Sequence, residues 1–154
     1  MKSTEPISLD LSMDTSEPIK PGMTVRYAGD LRCEGTHLKS HNQLITDAPL
    51  DNHGKGEAFS PTDLLCTSLA CCMITLMAIA AEEKGIALGT IDSQIEKVMA
   101  SNPRRVSTIR ILLSLEDKDY TDRERSILEN AARTCPVSRS LHSEINQKIQ
   151  FEYV

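Results

Sequence analysis

The chain has 154 residues and a formal net charge of −5, a size at which one domain buries roughly 70% of the surface of its extended chain and needs no disulfide or metal staple. With 40% hydrophobic and 25% charged residues and a pI near 5.4, it has the composition of a soluble globular protein, and its acidity speaks against nucleic acid or an anionic membrane as a partner. Five cysteines, with Cys66, Cys71 and Cys72 crowded into one segment and Cys33 and Cys135 alone, match no disulfide framework and fit reduced thiols.

Residues 1–21 hold Pro6, Pro18 and Pro21 among Ser, Thr, Asp and Glu, and read as an acidic arm or tail before a single domain over 22–154. The start, MKSTEPISLDLSMD, lacks the basic-then-apolar layout of a secretory leader, which points to the cytoplasm. MTVRYA, LRCEGTHL and QLITDA are β-like pieces separated by Gly29-Asp30 and Ser40-His41-Asn42, and predict an antiparallel meander. APLDNHGKGEAFS is a loop whose glycines fit no phosphate-binding pattern. In Ser60-Pro61-Thr62-Asp63 a Ser cap, a Pro at the first helical position and an acid at the third predict a helix start; the helix runs to about Lys84 and stops at Gly85. Leu64 to Ala81 carries no charge and is just long enough to cross a bilayer, but Thr67, Ser68 and Thr75 interrupt it, Asp63, Glu82 and Glu83 flank it, and no second span exists. A helix apolar on every side is then a buried central helix.

TIDSQIEKVMAS and RVSTIRILLSL predict a hairpin around Asn102-Pro103, with Ile109, Ile111, Leu113 and Leu115 on one face of its second strand. Thr121-Asp122-Arg123-Glu124 is a second capping box, opening a helix with Ile127, Leu128, Ala131, Ala132 and Cys135 at helical spacing. Pro136 disfavours helical geometry at Cys135 and starts a short helix over VSRSLHSEI; the alternation in IQFEYV then predicts a half-buried last strand. Strands and helices without regular βαβ alternation indicate an α+β fold.

Cys72 shares a helical stripe with Leu65, Leu69, Leu76 and Ile79, so its sulfur faces an interior or an interface. Such a cysteine is either an inert small hydrophobe with a raised thiol pKa or, with a cation beside it, a nucleophile. Cys33 and Cys66 have no supporting context and read as inert. Cys135 either closes the apolar stripe of its helix or, at the amino end of the short helix with Arg139 near, gains thiolate character from the free amides of Val137 and Ser138. From the residues alone Cys135 is the more acidic thiol. The histidines at 37, 41, 53 and 142 form no metal-binding pattern with the cysteines, and neither CxxC nor HExxH occurs, so no metal or cofactor is expected.

Two segments together resemble a known family. GEAFSPTDLLCTSLACCMITLMAIAA is similar to the central helix of the OsmC/Ohr proteins, the osmotically inducible and organic-hydroperoxide-resistance family, in its branch with a SPTDLL-type start. There a reactive cysteine follows the helix-start proline by eleven residues, which here is Cys72. AARTCPVSRSLHSEI resembles the segment that carries the partner cysteine, here Cys135. The resemblance implies an OsmC-like fold over 22–154, with antiparallel strands and a long central helix buried in an intertwined homodimer whose active sites lie at the subunit interface. It also implies a thiol-dependent peroxidase: Cys72 attacks an organic hydroperoxide and becomes a sulfenic acid, Cys135 condenses with it to a disulfide, and a dithiol or lipoylated protein restores both thiols. Family members stabilise the thiolate with an arginine from the early strands, held by a glutamate at the helix start. Arg32 is the nearest candidate here and Arg26 the next; Thr62 stands where the glutamate would fall, with Asp63 the adjacent acid. A second reading is a non-catalytic OsmC-like dimer that binds a small hydrophobic ligand or senses redox state.

Overall fold

A computed structural model describes residues 18–154, so all but the last four residues of the expected arm lie outside the described residues. Three short strands, β1 (Met23–Gly29), β2 (Arg32–His37) and β3 (Gln43–Asp47), form one antiparallel sheet in sequence order. The first turn places Asp30 and Leu31 at positive φ, the conformation a two-residue hairpin loop asks of its central pair. In the second hairpin Arg32 stands opposite Asp47, and Cys33 opposite Thr46.

The main body is a second sheet, β4 (Ile91–Ser101), β5 (Arg104–Leu115) and β6 (Asn146–Tyr153), covered by the helices α1 (Pro61–Lys84), α2 (Asp122–Arg133) and α3 (Pro136–Ser140). Both long helices begin with the expected capping boxes, Ser60 with Asp63 and Thr121 with Glu124, and α1 ends on Gly85 in the left-handed conformation. The β5 stripe of Ile109, Ile111, Leu113 and Leu115 is wholly buried, against Leu69, Met73 and Met77 of α1 and Leu128 and Ala132 of α2.

Three expectations are corrected. The strands are not all antiparallel, because β6 pairs parallel with β5, from Thr108 opposite Asn146 to Leu115 opposite Tyr153. The chain returns through α2 and α3 to the end where β5 began, and a crossover of that length is what parallel pairing requires. The short helix after Pro136 stops at Ser140, since Leu141 is extended. Finally, α1 is not buried all round within one chain. Cys66, Leu69, Ala70, Met73, Met77 and Ala81 are buried, while Leu65, Cys71 and Ile79 lie exposed on the other side.

The first sheet is exposed in a similar way. Val25 retains 74% and Tyr27 64% of its accessible surface, and Met23 and Leu44 are also open. Cross-strand pairing puts Val25, Tyr27, Cys33 and Leu44 on one face, beside a hollow of about 310 Å³ closed by Pro61 and Leu64 of α1. An apolar sheet face and an apolar helix face left open together mark a surface made for contact.

Candidate active site

α1 is continuous and carries Cys72 about three turns from its start. The helix turns this residue to the edge of the buried stripe, so it is partly buried and packs against the core. Cys135 arrives from a different direction. The amphipathic α2 ends at Arg133, Pro136 opens α3, and Cys135 between them is the N-cap of α3 and fully buried. Its Sγ accepts the amide hydrogen of Ser138 at 3.4 Å.

Cys72 is a neighbour of the Cys135 thiol, and both are free thiols. Burial pushes the Cys135 thiol up, the hydrogen bond to Cys72 pushes it further the same way, and the amides of Ser138 and Val137 pull it down by less. This runs against the thiolate character expected of Cys135 from its place at a helix start, because desolvation of a completely buried sulfur outweighs the end of a five-residue helix.

Arg32 and Asp63 are not brought to Cys72 in one chain, nor to each other. Asp63 lies nine residues before Cys72 on α1, a rise of about 13 Å. Its Oδ2 accepts from the Ser60 amide at 2.8 Å, and its Oδ1 from the Lys97 amine at 2.6 Å. Burial works to raise the Asp63 carboxyl, but the bonds from Lys97 and Ser60 hold it below its ordinary value. Lys97 also donates to Thr62 Oγ1 at 2.9 Å and Ser60 Oγ at 3.2 Å. Both side chains after the helix-start proline are therefore engaged by Lys97.

Arg32 is held elsewhere. Its Nε donates to Asp47 Oδ1 at 2.7 Å and its Nη2 to Asp47 Oδ2 at 2.8 Å, the two-pronged geometry that matches a guanidinium to a carboxylate. Nη2 also reaches Glu57 at 3.0 Å. The runner-up, Arg26, is exposed and paired with Glu34. Sequence reasoning passed over Asp47, Glu57 and Lys97. A signal existed for the first: folding β2 and β3 about the Ser40-His41 turn sets Arg32 directly across from Asp47, and opposite charges across a strand pair attract.

Cys66 lines a cleft of about 820 Å³ together with Phe59, Asp63, Ile95 and Lys97. Burial pushes its thiol up and the Lys97 charge pulls it down by less. Six residues before Cys72 on a helix, it points to a different side.

The hydrogen bonds of Arg32, opposed by burial, hold the Asp47 carboxyl below its ordinary value. A carboxyl more acidic in the folded than in the unfolded chain contributes stability that is complete above the unfolded value and lost as pH falls through the folded one. Thermal melts recorded from neutral pH downward are expected to hold level and then drop below about pH 4. In Asp47→Asn the drop is expected to be shallower; an unchanged slope would show that Asp47 is not one of the groups responsible.

The family described as OsmC-like protein matches residues 54–150. A crystal structure from Psychrobacter arcticus 273-4, of a protein inferred to be induced by osmotic stress and to act in a detoxification response, is 45% identical with a TM-score of 0.84, covering 89% of this chain and 99% of that one. An OsmC organic hydroperoxide resistance protein from Legionella pneumophila is similar at 17% identity and TM-score 0.63, with 84% of this chain and 94% of that one covered. For the organic hydroperoxide resistance protein OhrB of Bacillus subtilis the values are 19% and 0.58, over 84% and 96%; the likeness to these last two is one of fold. No curated protein matches the chain.

Proposed function

The chain belongs to the family of OsmC-like proteins, and from that premise we propose that it is a cytoplasmic, homodimeric thiol peroxidase that reduces organic hydroperoxides. The observation that carries this reading is the meeting of Cys72 and Cys135, from separate helices, in one partly dry place. The Cys72 thiolate attacks the distal peroxide oxygen, the O–O bond breaks, and the alkoxide leaves and takes up a proton as the alcohol, leaving a sulfenic acid on Cys72. Cys135 then attacks that sulfur, its proton and the departing hydroxyl leave as water, and the Cys72–Cys135 disulfide forms. A dithiol, free or carried on a lipoylated protein, returns both thiols by two exchanges.

The homodimer enters for a physical reason. One chain leaves open the apolar face of its first sheet and the Leu65–Ile79 side of α1, the side next to Cys72. A second copy covering these faces would bury them and close the side of α1 next to Cys72. The names of the Legionella and Bacillus proteins, organic hydroperoxide resistance proteins, agree with this reading. The second reading, a dimer that binds an apolar ligand without turnover, draws on Thr62: the acid that would hold an arginine there is absent, and its hydroxyl is taken by Lys97.

Stopped-flow kinetics with a dithiol present tests the choice. An apolar tail burying about 100 Å² at roughly 25 cal/mol per Å² gains about 2.5 kcal/mol, on the order of fifty- to a hundredfold in rate. Cumene hydroperoxide is therefore expected to be consumed at least about tenfold faster than hydrogen peroxide. Equal, slow consumption of both would favour the binding protein.

A further inference from the structure

We infer that the Cys72–Cys135 disulfide is opened from one side only: the reducing thiol attacks Cys72, and Cys135 is the sulfur that departs. The inference rests on the proposed function, which forms that disulfide, and adds the order in which it is undone. In thiol–disulfide exchange the attacking sulfur arrives along the line of the bond it breaks, from behind the sulfur it strikes. The space behind each cysteine therefore decides which one can be struck.

Behind Cys135 there is only protein. It is completely buried within its own chain, in the same core cluster as Leu128 and Ala132. The segment that carries it is also pinned. The Cys135 amide donates to the Ala132 carbonyl at 3.4 Å, and the Cys135 carbonyl accepts from the Arg139 amide at 3.2 Å. One pair of residues then fastens α3 to β6: Ser138 Oγ donates to Gln147 Oε1 at 2.6 Å, and Gln147 Nε2 donates to the Ser138 carbonyl at 3.2 Å. Swinging Cys135 outward would break these bonds and strip polar groups of their partners. Cys72 differs, since it is only partly buried and stands next to the exposed Cys71. A second copy can cover more of either cysteine but can uncover neither, so Cys72 is the one sulfur of the pair open to attack. The opening that admits a hydroperoxide to Cys72 then also admits the reductant.

One thiolate of the dithiol bonds to the Cys72 sulfur while the Cys72–Cys135 bond breaks, and the electron pair of that bond leaves on Cys135, which takes up a proton. The second thiol of the reductant, as thiolate, attacks the sulfur of the first. The mixed bond breaks, Cys72 leaves as thiolate, and the reductant departs as a cyclic disulfide, having passed two electrons to the protein.

A monothiol tests this, because it halts the sequence at the mixed disulfide. Full-length protein is oxidised with diamide, exposed briefly to β-mercaptoethanol and quenched in acid. Thiols left free are capped with N-ethylmaleimide, and peptide mass spectrometry reads which cysteine carries the mercaptoethanol. In the native protein the adduct is expected on Cys72 over Cys135 by at least about tenfold, and in protein unfolded with guanidinium about equally on both, since access is then the same. A native adduct mainly on Cys135, a split no different from the unfolded one, or no native adduct at all overturns the inference and leaves the proposed function standing. If diamide forms no Cys72–Cys135 disulfide, the proposed function falls and the inference with it, so the two failures are told apart.

Discussion

Cys72→Ser is expected to bring hydroperoxide turnover down to the background of dithiol and peroxide alone, a loss on the order of a thousandfold or more in kcat/KM. The size follows from the chemistry. A serine hydroxyl is hardly ionised near neutral pH, its oxygen is a poor nucleophile toward peroxide, and it cannot be oxidised to a species that Cys135 would resolve. The substitution removes one partly buried atom's polarisability and little volume, so the fold should be unaffected. Stopped-flow consumption of cumene hydroperoxide by both proteins, with melting curves to confirm folding, gives the answer. Wild type and variant behaving alike would end the catalytic reading while leaving the architecture as described.

Cys135→Ser should act differently, because the first oxidation needs only Cys72. A burst of about one alcohol per chain at a near-normal rate is expected, followed by arrest as excess peroxide carries the sulfenic acid to sulfinic acid. Mass spectrometry of the Cys72 peptide should then find two added oxygens where the wild type shows a disulfide. Cys66 cannot rescue the variant, since it is buried on another side of α1. Cys71 is exposed and adjacent, but neighbouring side chains on a helix diverge by about 100°. Sustained turnover without Cys135 would remove its resolving role.

What could be read from the sequence divides by range. Both capping boxes, the Gly85 stop, the meander turns and the β5 stripe are decided within a few residues, by sterics and backbone hydrogen bonding, and all are found. The buried side of α1 was illegible for the opposite reason: a helix apolar on every side has no pattern to point with, and only the sheet and α2 select Leu69, Met73 and Met77 for the interior. The direction of β6 depends on where α2 and α3 return the chain. Cys135 shows a local rule losing to a tertiary one: the sequence left open whether it closes the apolar stripe of α2 or gains thiolate character at the start of α3, and it does sit at that start, but buried. Lys97 reaches the start of α1 from the middle of β4, a contact that no spacing along the chain announces.

The first sheet leaves side chains such as Val25 and Tyr27 facing outward. Three short strands with an uncovered oily face hold together weakly on their own. In the proposed homodimer dilution would reach this part of the molecule first: a solitary chain would keep its helices and long hairpin while the leading strands fray, and the heat needed to melt the protein would climb with concentration, as mass action demands of such an assembly.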